Sequence, residues 1–68
     1  MTATTATDII YSAVPDHGVR NIERIHDEID DVTIWTGDVF DPYMDEGDDL
    51  IGHVTMMEHY PEPDVTWL

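Results

Sequence analysis

Apolar and polar positions change their spacing repeatedly along this chain, and each change marks an element. Residues 8–14 (Asp-Ile-Ile-Tyr-Ser-Ala-Val) are rich in β-formers and predict a strand. Pro15 closes that strand, and Asp16 is suited to cap a helix beginning just after it. Over residues 17–30 the apolar positions Val19, Ile22, Ile25 and Ile29 step by three, three and four, the spacing of one buried face of an amphipathic helix. Residues 32–36 (Val-Thr-Ile-Trp-Thr) alternate and predict a strand. Residues 37–49, punctuated by Gly37, Pro42 and Gly47, read as a loop.

Residues 50–60 predict a further strand, with Gly52 at a bulge. Pro61 and Pro63 break it, and residues 65–68 form a short last strand or an apolar tail. The Thr/Ala-rich residues 1–7 read as a frayed end. The predicted order is β-α-β-β with a short C-terminal strand as an option. This defines a small single α+β domain, with one amphipathic helix on a three- to four-stranded, largely antiparallel sheet.

Composition sharpens this picture. Sixty-eight residues make one domain, and a chain of that size buries only about 60% of the surface its unfolded form exposes. There is no cysteine, so neither a disulfide nor a thiolate metal site can add stability. An apolar content of 41% nevertheless exceeds that of an acidic disordered tail. Dimerisation would supply further buried area, so a homodimer is an allowed assembly. The N-terminal stretch lacks a basic, apolar leader, and no run approaches the length of a membrane span. The expectation is a soluble, cytoplasmic protein.

Charge changes the picture most. Sixteen acidic residues face two arginines and no lysine, giving a formal net charge of -14. Solubility alone needs a magnitude of only about 2–8. Such a field repels nucleic acid and anionic membrane and attracts basic surfaces. The acids are also clustered, with six in residues 16–31 and six in residues 38–49. On the predicted helix, Glu23, Asp27, Asp30 and Asp31 form a negative ridge. Arg20 and Arg24 would pair with Asp16 and Glu28 at four-residue spacing. On the predicted loop, Asp38, Asp41, Asp45, Glu46, Asp48 and Asp49 alternate with Phe40, Tyr43 and Met44.

Rows of carboxylates can stand in for the closely spaced phosphates of nucleic acid, about one charge per 1.7 Å of duplex axis. The expected partner is therefore a basic nucleic-acid-binding protein or complex, with no direct binding of nucleic acid or membrane. The ten acids of the ridge and loop would face that partner, and Phe40 and Tyr43 would add aromatic anchors. In composition the chain resembles DNA-mimic proteins of the anti-CRISPR and anti-restriction type, encoded by phages and mobile elements. That resemblance rests on no motif. It implies an inhibitor that blocks the nucleic-acid channel of a host defence or regulatory complex.

Other readings of the same residues compete with this one. An acid-rich surface without lysine, with Asp outnumbering Glu eleven to five, also fits a halophile-adapted interaction module. Asp41, Asp45, Asp48 and Asp49 could offer oxygens to calcium or magnesium, but the ladder of an EF-hand is missing. His17, His26, His53 and His59 are scattered and match no metal motif. Ser12 is the only serine and lies in no nucleophile elbow. We therefore expect neither an enzyme nor a cofactor.

Overall fold

The computed structural model describes residues 1–68. One helix, α1 (Ala3–Ala13), is followed by four strands: β1 (Gly18–Asp27), β2 (Val32–Phe40), β3 (Leu50–Met57) and β4 (Tyr60–Trp67). The strands form one antiparallel sheet in the order β1-β2-β3-β4, each paired with its neighbour in sequence. The helix covers one face of this sheet, hereafter the inner face, and touches both edge strands. The expected class of fold, a single helix on an antiparallel sheet, is the one observed.

The order of the first two elements is α-β rather than the expected β-α. Residues 8–14 belong to the end of α1 and the turn after it. Ala6, Ile10 and Val14 lie four residues apart and are buried against the sheet, so packing overrides the weak helix propensity of Ile and Thr. Residues 3–7 are also helical. Thr2 caps the helix, its hydroxyl oxygen accepting from the Thr5 N–H at 3.2 Å.

Residues 18–27 form a strand where a helix was expected, and a bulge explains the misleading spacing. Between Arg20 and Glu23 the register of β1 on β2 shifts, so that Asn21 and Ile22 together oppose Gly37. Asn21 takes a left-handed conformation there, with φ of 56°. The extra residue brings Val19 and Ile22, three apart, to the same inner face. Three-residue spacing then looks like one helical turn. Beyond the bulge, Glu23, Ile25 and Asp27 alternate onto the outer face.

Gly37 belongs to β2, not to the loop. A Cβ at this position would lie 2.8 Å from Val19 Cγ1, so glycine makes room for the bulge and the packing above it. Gly52 serves a similar purpose on β3, where a Cβ would meet the Thr66 carbonyl oxygen at 2.8 Å. The register shift of β3 falls beside Gly52, at Ile51. Pro61 and Pro63 lie within β4 rather than ending it. They are tolerated because β4 is an edge strand whose other side needs no ladder donors.

The core comprises Ala6, Ile10 and Val14 from the helix side and Val19, Trp35, Val39, Val54 and Met56 from the sheet. No helix is long and apolar enough to cross a membrane.

Candidate charged interface

Antiparallel meander topology decides where the acids go. The hairpin between β1 and β2 carries residues 28–31 at one end of the sheet, and the connection from β2 to β3 carries residues 41–49 at the other. Eight steps of strand between Val32 and Phe40, at about 3.3 Å each, separate the two by roughly 26 Å. The acids of residues 27–31 and 41–49 therefore lie at opposite poles of a molecule 38 Å long, whereas Asp16 precedes the loop end of β1 and Glu23 and Asp38 lie on the strands between. The two poles are not adjacent patches of one face.

At the hairpin pole, Asp27, Glu28, Asp30 and Asp31 are all exposed. The Asp27 carboxylate accepts hydrogen bonds from the backbone N–H groups of Ile29 (2.9 Å) and Asp30 (3.3 Å), which fixes the turn. Asp31 adopts φ of 51° and lies 3.5 Å from His26 Nε2. His26 Nδ1 also lies 2.8 Å from the Thr33 hydroxyl. Glu23 stands apart on the outer face of β1, paired in register with Thr36.

At the loop pole the expected residues divide. Asp45, Glu46 and Asp48 are exposed, and no cation lies within ion-pair distance of them. Asp41 shapes the loop: its carboxylate accepts from the Tyr43 N–H at 2.9 Å, and its N–H donates to the Asp49 carbonyl at 2.9 Å. Asp49 is turned inward, only 5% exposed, and is held by Arg20. Asp38 lies on the outer face of β2, where it accepts from Asn21 Nδ2 at 2.9 Å and faces His53 Nδ1 at 3.0 Å. Tyr43 is 94% exposed. Phe40 is half-buried instead, its ring lying 4.8 Å beneath the Arg20 guanidinium.

Both arginines are engaged far from the positions that helical spacing suggested. Arg20 binds Asp49 rather than Asp16, and Arg24 binds Glu58 rather than Glu28. The latter contact is also two-pronged, at 3.2 and 3.1 Å. Arg20 holds the Asp49 carboxyl below its ordinary value, and Arg24 does the same to Glu58, helped by the Trp35 indole N–H. The Asn21 hydrogen bond, followed by that of His53, lowers Asp38. The only two permanent side-chain cations are thus consumed by three-dimensional structure, and the exposed carboxylates stay uncompensated.

No group of three or more His, Asp or Glu side chains is placed to hold a metal ion. The outer face carries a feature that the expected site did not include. Ile25, Ile34, Met57 and Tyr60 are paired in register across all four strands and form one apolar row. In β1 only Ile25 is apolar between Glu23 and Asp27, so no alternation there signals the row, which depends on the register between strands. No protein-family model, curated protein or solved structure matches the chain.

Proposed function

We propose that this protein is a small acidic inhibitor that presents carboxylates in place of nucleic-acid phosphates. Its target is the basic nucleic-acid-binding surface of another protein, of the kind found in host defence or regulatory complexes. The observation that carries the reading is the linear density of uncompensated charge. Fourteen net charges over 38 Å amount to one per about 2.7 Å. That lies between the spacing of a single strand, about 3.4 Å, and that of a duplex, about 1.7 Å. An acidic pole at each end lets the molecule lie along a channel rather than plug it at one point.

Binding of this kind releases counterions from the basic partner, so affinity falls steeply as salt rises. The test is competition. The protein captures a basic nucleic-acid-binding partner from lysate at low salt, and duplex DNA is then titrated against it. Displacement by DNA, together with loss of capture by a variant carrying Glu28→Lys, Asp30→Lys, Asp45→Lys and Glu46→Lys, is the expected result. A variant so altered that still captures the partner as well as the parent chain does would rule out mimicry.

A further inference from the structure

The outer face of the sheet ends in an apolar hollow of about 740 Å³ at the hairpin pole. Ile25, Val32 and Ile34 form its floor, and Ile29 stands at its lip, 94% exposed at the tip of the turn. Asp27, Glu28 and Asp30 make the rim. No arginine faces that rim, because Arg20 and Arg24 are bound to Asp49 and Glu58. From the hollow, the row through Ile34, Met57 and Tyr60 continues across the sheet for roughly 10 Å, at about 4.8 Å per strand. Nothing in the fold covers this surface, since α1 lies on the opposite face.

An isoleucine so exposed gains nothing for the free monomer and costs solubility. Its neighbours identify the occupant. A second copy of this chain would bring another -14 and would set its own Asp27, Glu28 and Asp30 against the same rim, which opposes self-association. A basic segment meets both demands at once. We infer that the hollow docks an apolar side chain of the partner, carried on a segment where Lys or Arg residues flank it. The apolar residue fills the space between Ile29 and Ile34, and the flanking cations meet the rim carboxylates. This rests on the reading of the chain as a binder of basic surfaces, and it adds the contact that slows dissociation once charge has steered the encounter.

Two 12-residue peptides of equal charge test the inference. One alternates Lys with Leu, and the other alternates Lys with Ser. Binding is measured at 0.15 M salt, with amide shifts recorded by NMR. We expect the Lys/Leu peptide to bind about tenfold tighter, as burial of one aliphatic side chain implies, and to shift residues 25–34. Ile29→Ser, at a position too exposed to affect folding, should remove most of that advantage and leave Lys/Ser binding unchanged. Ile25→Ser should act in the same direction. Equal binding of the two peptides by the parent chain would overturn the inference, as would an unaltered advantage in Ile29→Ser. So would a dimer seen by sedimentation that Ile29→Ser dissociates, since the hollow would then belong to a second copy. The titration contains no nucleic acid. Failure of duplex DNA to compete would therefore remove the mimicry reading and leave this result standing.

Discussion

Arg20 grips Asp49 through two parallel hydrogen bonds of 2.9 and 2.8 Å, joining residues 29 positions apart in the chain. This contact ties the end of the acidic loop to the start of the edge strand β1. It also sits beside the cation–π contact of Arg20 on Phe40, so one guanidinium holds both ends of the loop, Phe40 and Asp49. Asp49 is therefore a structural carboxylate among exposed ones. Asp49→Asn should lower the melting temperature by several degrees, because it leaves the guanidinium facing a neutral group. Asp45→Asn and Glu46→Gln, which remove only exposed charge, should leave it unchanged or raise it slightly. Thermal melts of the three variants check this ordering. A loss in Asp49→Asn no larger than in the other two would show that the bridge contributes nothing.

The pH dependence has a definite sign. Asp38, Asp49 and Glu58 are held below their ordinary values of 3.8, 3.8 and 4.5 in the folded chain. Each contributes stability that is fully present above its ordinary value and is lost as pH falls through the lowered one. Near neutral pH the contributions of Asp49 and Glu58, which rest on arginines, are constant. Below about pH 4 they fade, while protonation of the other acids relieves repulsion and acts the opposite way. The two effects are separated by comparing variants. The difference in melting temperature between the parent chain and Asp49→Asn should hold steady from pH 7 to 5 and shrink below pH 4. A difference that stays constant down to pH 2 would mean that Asp49 is not depressed by Arg20.

Much of this architecture was legible in the chain, and the misreadings have physical causes. The strand holding Ile34 announced itself by alternation and that holding Val54 was legible before Pro61, and a single helix on an antiparallel sheet followed. Residues 8–14 misled because Ile9, Ile10 and Tyr11 favour strands locally, by well under 1 kcal/mol each, a margin that burial of Ile10 exceeds. Residues 18–27 misled because the bulge at Asn21 gives a strand the spacing of a helix. The same spacing misplaces charge: a helix would pair Arg20 and Arg24 with Asp16 and Glu28 one turn away, whereas the sheet delivers them to Asp49 and Glu58. The exposure of Asp45, Glu46 and Asp48 followed from loop chemistry. The inward turn of Asp49 could not, because it depends on pairing between strands distant in sequence.

Separation of the two poles carries a consequence for energetics. At 0.1 M salt the Debye length is about 10 Å, well short of the roughly 26 Å between the hairpin and the loop. Charges at one pole should not feel those at the other. Glu28→Lys with Asp30→Lys at the hairpin, and Asp45→Lys with Glu46→Lys at the loop, should each raise stability by relieving local repulsion. Asp27 is left in place because it fixes the turn through Ile29 and Asp30. Combined, the two pairs should add to within about 0.5 kcal/mol. Denaturant titrations of the two pairs and their combination measure the coupling. A coupling well above that figure would mean that the poles interact through the sheet or lie closer than the topology places them.

Salt separates the use of charge on a partner from its use in brine. Raising salt from 0.01 to 1 M shortens the Debye length from about 30 to about 3 Å. Repulsion among uncompensated carboxylates is then screened, and the melting temperature should climb. The climb should begin from an already folded state. The reason is that an eight-residue core, two two-pronged arginine bridges and antiparallel pairing across all four strands are contacts that need no solvent ion. Most of the gain should come below about 0.5 M, where the Debye length drops beneath the spacing of neighbouring acids within a pole. Circular dichroism melts in KCl from millimolar to molar concentration test this. A cooperative melt at 0.01 M removes the need for a salt-adaptation account of the excess charge. A chain that folds only in molar salt would assign it to a salt-rich cell, and the carboxylates of both poles would then be a solvent adaptation.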